Sequence, residues 1–103
     1  MKDLNQETID LLIQAMLSLE TPKECEAFLN DLLTINELKS LAQRLYVAKL
    51  LKDGKSCVDV TGITGASSAT VSRVNRSLHY GEDGYVTVLE RLQQENEKGG
   101  AVQ

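Results

Sequence analysis

The stretch KSCVDVTGITGASSATVSRVNRSL, Lys55 to Leu78, decides the fold. It reads as two short helices joined by a tight turn. Ser56 with Asp59 three residues on is a helix-start signature, since each side chain can bond a free amide of the first turn. Gly62, Thr64 and Gly65 are expected to interrupt that helix, and Gly65 can adopt the positive φ that a sharp reversal requires. Ser67 or Ser68 then caps a second helix running to about Leu78. A short helix, a glycine-containing turn and a longer second helix predict a helix-turn-helix at about 56–78, the motif whose second helix enters the DNA major groove.

At about 100° per residue, Val71, Val74 and Leu78 fall on one side of the second helix, a face for packing against the rest of the domain. Ala69, Ser72, Arg73 and Arg76 point the opposite way, with Thr70 and Ser77 on one flank and Ser68 and Asn75 on the other. The outward face is small, hydroxylated and basic. Small side chains let a helix backbone sit deep in a groove, hydroxyls and a threonine methyl touch base edges, and arginine reaches phosphate or guanine. From Val60 to Tyr80 there is no Asp or Glu, whereas a merely solvated helix usually alternates charge signs. Ser68, Ala69, Thr70 and Ser72 are the candidates for base edges, and Arg73, Arg76 and Lys55 for phosphate or guanine. Ser67 and Cys57 complete the candidate DNA-binding set.

The net charge of −4 runs against nucleic-acid binding until it is divided along the chain. Lys39 to His79 carries seven basic side chains against two acidic ones, while the remainder has four basic and thirteen acidic. A basic middle with acidic flanks attracts phosphate locally and limits non-specific binding elsewhere.

At 103 residues the chain is read as one helical domain over 1–94 with a flexible tail over 95–103. That size is at the low end for standing alone, which favours association between copies. Aromatics are only 4% against 42% hydrophobic residues, with one Pro and no Trp, a balance suited to helices packed through Leu, Ile, Val and Ala. Cys25 and Cys57 form no CxxC arrangement, and there is no secretory apolar region or membrane-length apolar run. The reading is a soluble cytoplasmic protein with reduced thiols and no membrane association. Cys25, on an apolar helix face, reads as a small core residue. No catalytic residue, metal site or cofactor is expected: His79, placed in a turn, has no metal partner of suitable spacing, and Gly62-Ile63-Thr64-Gly65 lacks the Lys and spacing of a P-loop.

Ahead of the motif, Asn5 to Leu19 is expected to be helical, with Ile9, Leu12, Ile13, Met16 and Leu17 in one apolar stripe widened by Leu4 and Leu11. Thr21-Pro22-Lys23-Glu24 supplies a cap, a Pro at the first helical position and a Glu at the third. The helix it starts carries Cys25, Phe28, Leu29, Leu32 and Leu33 at the same spacing. Thr34-Ile35-Asn36-Glu37 opens the longest helix, Ile35 to about Asp53, whose apolar positions cover more than one face and require neighbours on most sides. Gly54 ends it, with Lys49, Lys52 and Lys55 suited to the helix dipole. After the motif, His79 to Gly84 reads as a turn, with Glu82 or Asp83 in the first turn of a last helix that has Tyr85, Val88, Leu89 and Leu92 on its core face and fades by Gln94. That makes six helices, with no internal repeat.

The segments LxxLAQRLxVAxLLxxGKS and TGASSATVSRVNRSLxYG resemble the Trp repressor superfamily, most closely its YerC/YecD branch, over about Ile9 to Leu92. Leu41-Ala42-Gln43-Arg44-Leu45, Gly65-Ala66-Ser67 and Ala69-Thr70-Val71-Ser72-Arg73 carry the resemblance. It implies an all-α, six-helix, intertwined homodimer whose two helix-turn-helix units face successive major grooves. It also implies an effector pocket beside the second motif helix, because the Trp repressor members bind tryptophan with an Arg matching Arg73 and a hydroxyl matching Ser77. Two departures argue against tryptophan here. Val74 replaces the family's Gly after that Arg and should crowd an indole ring. The second clamping Arg aligns without gaps with Gln43, and Arg44 lies one position away, about 100° around the helix.

The residues and the resemblance together point to a sequence-specific DNA-binding transcriptional regulator, a repressor, acting as a homodimer on palindromic double-stranded DNA. The alternative is a helical dimerisation or protein-interaction module of the same fold without DNA affinity. The acidic total and the scarcity of long polar readers such as Gln or Lys on the second motif helix speak for it.

Overall fold

The computed structural model describes residues 4–99. They form six helices and no strand: α1 (Leu4–Leu17), α2 (Pro22–Leu32), α3 (Ile35–Lys52), α4 (Cys57–Thr64), α5 (Ser68–Tyr80) and α6 (Gly84–Gly99). The chain divides into two compact units, one through Leu38 and one from Lys39.

In the first unit, α1 stops two residues short of Leu19. Its last turn tightens, with the Ser18 amide donating to both Gln14 and Ala15 carbonyls and the Leu19 amide to Met16. Thr21 caps α2, its hydroxyl accepting from the Glu24 amide at 3.1 Å. The Glu24 carboxylate returns to the amide of Glu20, one residue ahead of the cap. Only Leu33 and Thr34 separate α2 from α3. The second box is reciprocal: the Glu37 amide donates to the Thr34 hydroxyl and the Thr34 amide to the Glu37 carboxylate. These caps satisfy first-turn amides that have no intrahelical acceptor. The apolar stripe of α1 stays open in the single chain, with Ile9, Ile13 and Met16 close to half exposed and Leu17 at 81%.

The buried core lies in the second unit. It gathers Val47, Ala48 and Leu50 from α3, Val60 from α4, Ala66 from the turn, Val71 and Val74 from α5, and Leu89 from α6, with Leu51 and Tyr85 packed against it. Leu78 is also buried. α3 ends as the sequence anticipates, with the Lys55 amide reaching back to Leu50 and the Gly54 amide to Leu51, the paired bonds of a helix stopped by a left-handed residue.

Ser56 caps α4 by accepting from the Asp59 amide. Gly62 does not interrupt α4, which runs through it to Thr64. The cap and the burial of Val60 hold the helical register past a residue that only weakens it. The break comes at Gly65, in the left-handed region at φ 73°. The Thr64 hydroxyl donates to the Val60 carbonyl at 2.7 Å and accepts from the Ala66 amide at 3.1 Å. One side chain thus closes the end of α4 and pins the next residue, which is buried. α4 packs on α5, and α5 on α6.

Three sequence expectations about the C-terminal third change. His79 and Tyr80 belong to α5 and not to the turn, since the helix continues until the Gly81 amide bonds Ser77 O. Glu82 and Asp83 precede α6 instead of entering its first turn; Asp83, at φ 65°, lends its carbonyl to the Thr87 amide. The last helix continues past Gln94 to Gly99, where a frayed tail was expected from Glu95. A polar stretch can remain helical as the extension of an existing helix, because each added residue contributes a bond without a new nucleus; here Gln93 also bonds Glu97 one turn on. Residues 100–103 of the expected tail lie outside those described.

A Cβ built on Gly81 would lie 2.4 Å from Ser77 O, a backbone atom that cannot swing aside. Gly81→Ala is therefore expected to lose about 1–3 kcal/mol of stability by urea denaturation. Thr64→Val, which keeps the shape but removes both turn bonds, should lose about 1–3 kcal/mol in the same assay, because it leaves the Ala66 amide without an acceptor.

Candidate nucleic-acid interface

The inward face of α5 is the one the periodicity assigns: Val71, Val74 and Leu78 are buried. Opposite them Ala69, Ser72, Arg73 and Arg76 are exposed, with Ser68 beside them and Thr70 half-buried on the flank. Lys55 and Cys57 are exposed at the start of α4. Neither Arg73 nor Arg76 enters an ion pair among the described residues, and α5 contains no carboxylate of its own. Two guanidiniums are thus available on a face with no internal counter-charge.

The hydroxyls differ in what they have left to give. Ser67 is the cap of α5: its oxygen accepts from the Thr70 amide and donates to the Thr70 hydroxyl, both at 3.1 Å. A hydroxyl has one proton to donate, so Ser67 has committed its own to the cap that starts the helix. Thr70, accepting from Ser67, keeps its proton for an outside acceptor.

Two clefts flank this face. On one side Cys57, Val58 and Thr61 of α4 meet Ser68, Ser72 and Asn75 of α5 in a groove of about 310 Å³. It brings Cys57, Ser68 and Ser72 together, while Val58, 82% exposed on the same wall, carries no sequence signal for a site. On the other side Ser40 and Arg44 of α3 meet Ala69, Thr70 and Arg73 in a cleft of about 330 Å³. Ser40 escapes a motif-based reading, yet it stands four residues before Arg44 and so on the same helix face.

The residues assigned to an effector pocket do not converge. Arg44 and Arg73 share the second cleft, Gln43 does not line it, and Ser77 lines a separate, open groove with Leu45, Tyr85 and Val88. Val74 is buried in the core at 2% exposure, so its side chain is not available to crowd a ligand at Arg73. No group of His, Cys, Asp and Glu among the described residues could hold a metal ion, and no described helix is long and apolar enough to cross a membrane.

A family model described as Trp repressor protein matches residues 7–93. The chain belongs to the Trp repressor family. It is 46% identical over 91 residues to YerC, an uncharacterized protein of Bacillus subtilis (strain 168), covering 88% of each. Two crystal structures share its fold with a TM-score of 0.80. One is a Trp repressor candidate from Staphylococcus aureus, 46% identical, with 84% of this chain and 87% of that one matched. The other is a TrpR-like protein from Eubacterium eligens ATCC 27750, 50% identical, with 84% of this chain and 90% of that one matched. The Trp repressor fold is a regulatory, DNA-binding one and not an enzymatic one, in keeping with the arrangement of α4 and α5.

The division of labour among hydroxyls can be measured. Ser67→Ala should lower stability by about 1 kcal/mol through loss of the cap. Ser72→Ala, on the exposed face, should stay within about 0.5 kcal/mol of the parent in the same urea titration.

Proposed function

We propose that this chain is a sequence-specific transcriptional repressor that binds double-stranded DNA as a homodimer in the cytoplasm, with α4 and α5 as its helix-turn-helix. The observation that carries this reading is the outward face of α5: Ala69, Ser72, Arg73 and Arg76 exposed, with no carboxylate on the helix. Membership of a family with a DNA-binding fold supports it. Ser68, Ala69, Thr70 and Ser72 approach base edges, small enough to let the helix enter the major groove. Arg73, Arg76 and Lys55 supply charge to phosphate or guanine. Ser67 and Cys57 sit at the two helix starts that hold this surface.

The homodimer rests on the open stripe of α1, since a contiguous exposed apolar surface marks an association site. A two-fold pair of helix-turn-helix units reads half-sites about 34–36 Å apart, so the operator should be palindromic. Tryptophan is not the corepressor in this reading. The Arg44–Arg73 cleft is walled by Ser40, Thr70 and Ala69 besides the two arginines and offers an indole ring little apolar surface. No other cofactor is required.

Selection of bound duplexes from a random library should recover a palindrome. A salt-insensitive absence of binding would favour instead the interaction module without DNA affinity, which the net charge of −4 suits. On the recovered site, Arg76→Ala should cost about 1–3 kcal/mol and relax preference at one base pair if Arg76 reads guanine; equal weakening on every sequence assigns it to phosphate. Isothermal titration with free tryptophan should show no binding in the micromolar range, and a micromolar dissociation constant would restore the corepressor.

A further inference from the structure

We propose that the cleft formed by Ser40, Arg44, Ala69, Thr70 and Arg73 is a clamp for one backbone phosphate of bound DNA, and that Arg44 is a DNA-contacting residue although it lies on α3, outside the helix-turn-helix. This deepens the DNA-binding reading and rests on it. Two guanidiniums line the cleft and no carboxylate does. Neither arginine pairs with an acid among the described residues. Within the Arg44 guanidinium, Nε is buried with no hydrogen-bond partner among the described residues, so the group meets the cleft through its terminal amino groups, and its charge has no acid to compensate it there. The planar fork of a guanidinium can give one phosphate two parallel bonds from its terminal amino groups.

The rest of the lining suits the same ligand. Thr70 has a hydroxyl proton to donate, Ser40 adds a second hydroxyl, and Ala69 and Thr70 lie in the first turn of α5, the end of the helix that favours negative charge. The cleft borders the outward face of α5 on its Thr70 flank. With α5 in a major groove, a sugar–phosphate strand bordering that groove passes this flank. Phosphate contacts of this kind fix the position of a recognition helix without reading sequence.

The experiment compares wild type, Arg44→Gln and Arg44→Lys by fluorescence anisotropy on the library-selected duplex and on a scrambled one, across a range of salt. Arg44→Gln should weaken both duplexes by the same factor, about tenfold, and lower the slope of log affinity against log salt by about 0.9, the signature of one lost phosphate contact. Arg44→Lys should keep most of the slope. Ser40→Asp, an exposed position, puts a carboxylate into the clamp without disturbing packing and should reproduce the lowered slope even if Arg44→Gln does not fold. Wild-type binding with an unchanged slope in both Arg44→Gln and Ser40→Asp would overturn the clamp alone. So would a gain in duplex affinity on adding inorganic phosphate at constant ionic strength, which would make the cleft a site for a free anion. If wild type binds no duplex at any salt, the DNA-binding reading falls and the clamp falls with it.

Discussion

The hydroxyl of Thr64 is bonded on both sides, to the helix it ends and to the turn that follows. Everything proposed for this protein depends on that junction, because the angle between α4 and α5 decides whether α5 projects from the body or lies along it. Gly65 supplies the left-handed step and Ala66 drops into the core, so the turn is fixed by a covalent reversal, two hydrogen bonds and burial together. Ser67 then starts α5 at once. The proposed recognition element gains from being built in this way, since a contact surface held in one shape loses little entropy on binding.

Much of the fold is legible in the sequence because its punctuation is local. Thr21, Thr34, Ser56 and Ser67 each precede a helix by one residue and accept from an amide three residues on, a relation that depends only on side chains near one another in the chain. The inward triplet of α5 follows from periodicity for the same reason. Gly62 misleads because propensity is a weak prior that a capped, half-buried helix overrides. The last turns of α6 mislead because polar residues carry no apolar period to read.

The candidate site is less legible. The exposed face of α5 can be deduced from one helix alone, and its residues lie where periodicity puts them. The cleft beside it depends on how α3 and α5 cross, and no spacing rule distinguishes Gln43 from Arg44 as the residue that meets Arg73. Val74 shows the limit of comparing positions one by one. Its size argues for a crowded ligand site, yet its side chain belongs to the core, where the same size is what packing requires. Net charge averages over the same kind of difference, because seven of the eleven basic side chains lie between Lys39 and His79 and thirteen of the fifteen acidic ones lie outside that stretch.

The open stripe of α1 also has a consequence for how much of the protein must be made. In the proposed homodimer, a second copy that covers this surface would tie the order of the first unit to the concentration of the chain, since association stabilises by mass action. The second unit carries its own core and owes less to a partner. Dilution would therefore cost the proposed homodimer its pairing before it cost the helix-turn-helix its own core. For the proposed regulator, the number of molecules in the cell would then act as a threshold, since only abundant chains would have the paired geometry that the proposed operator requires.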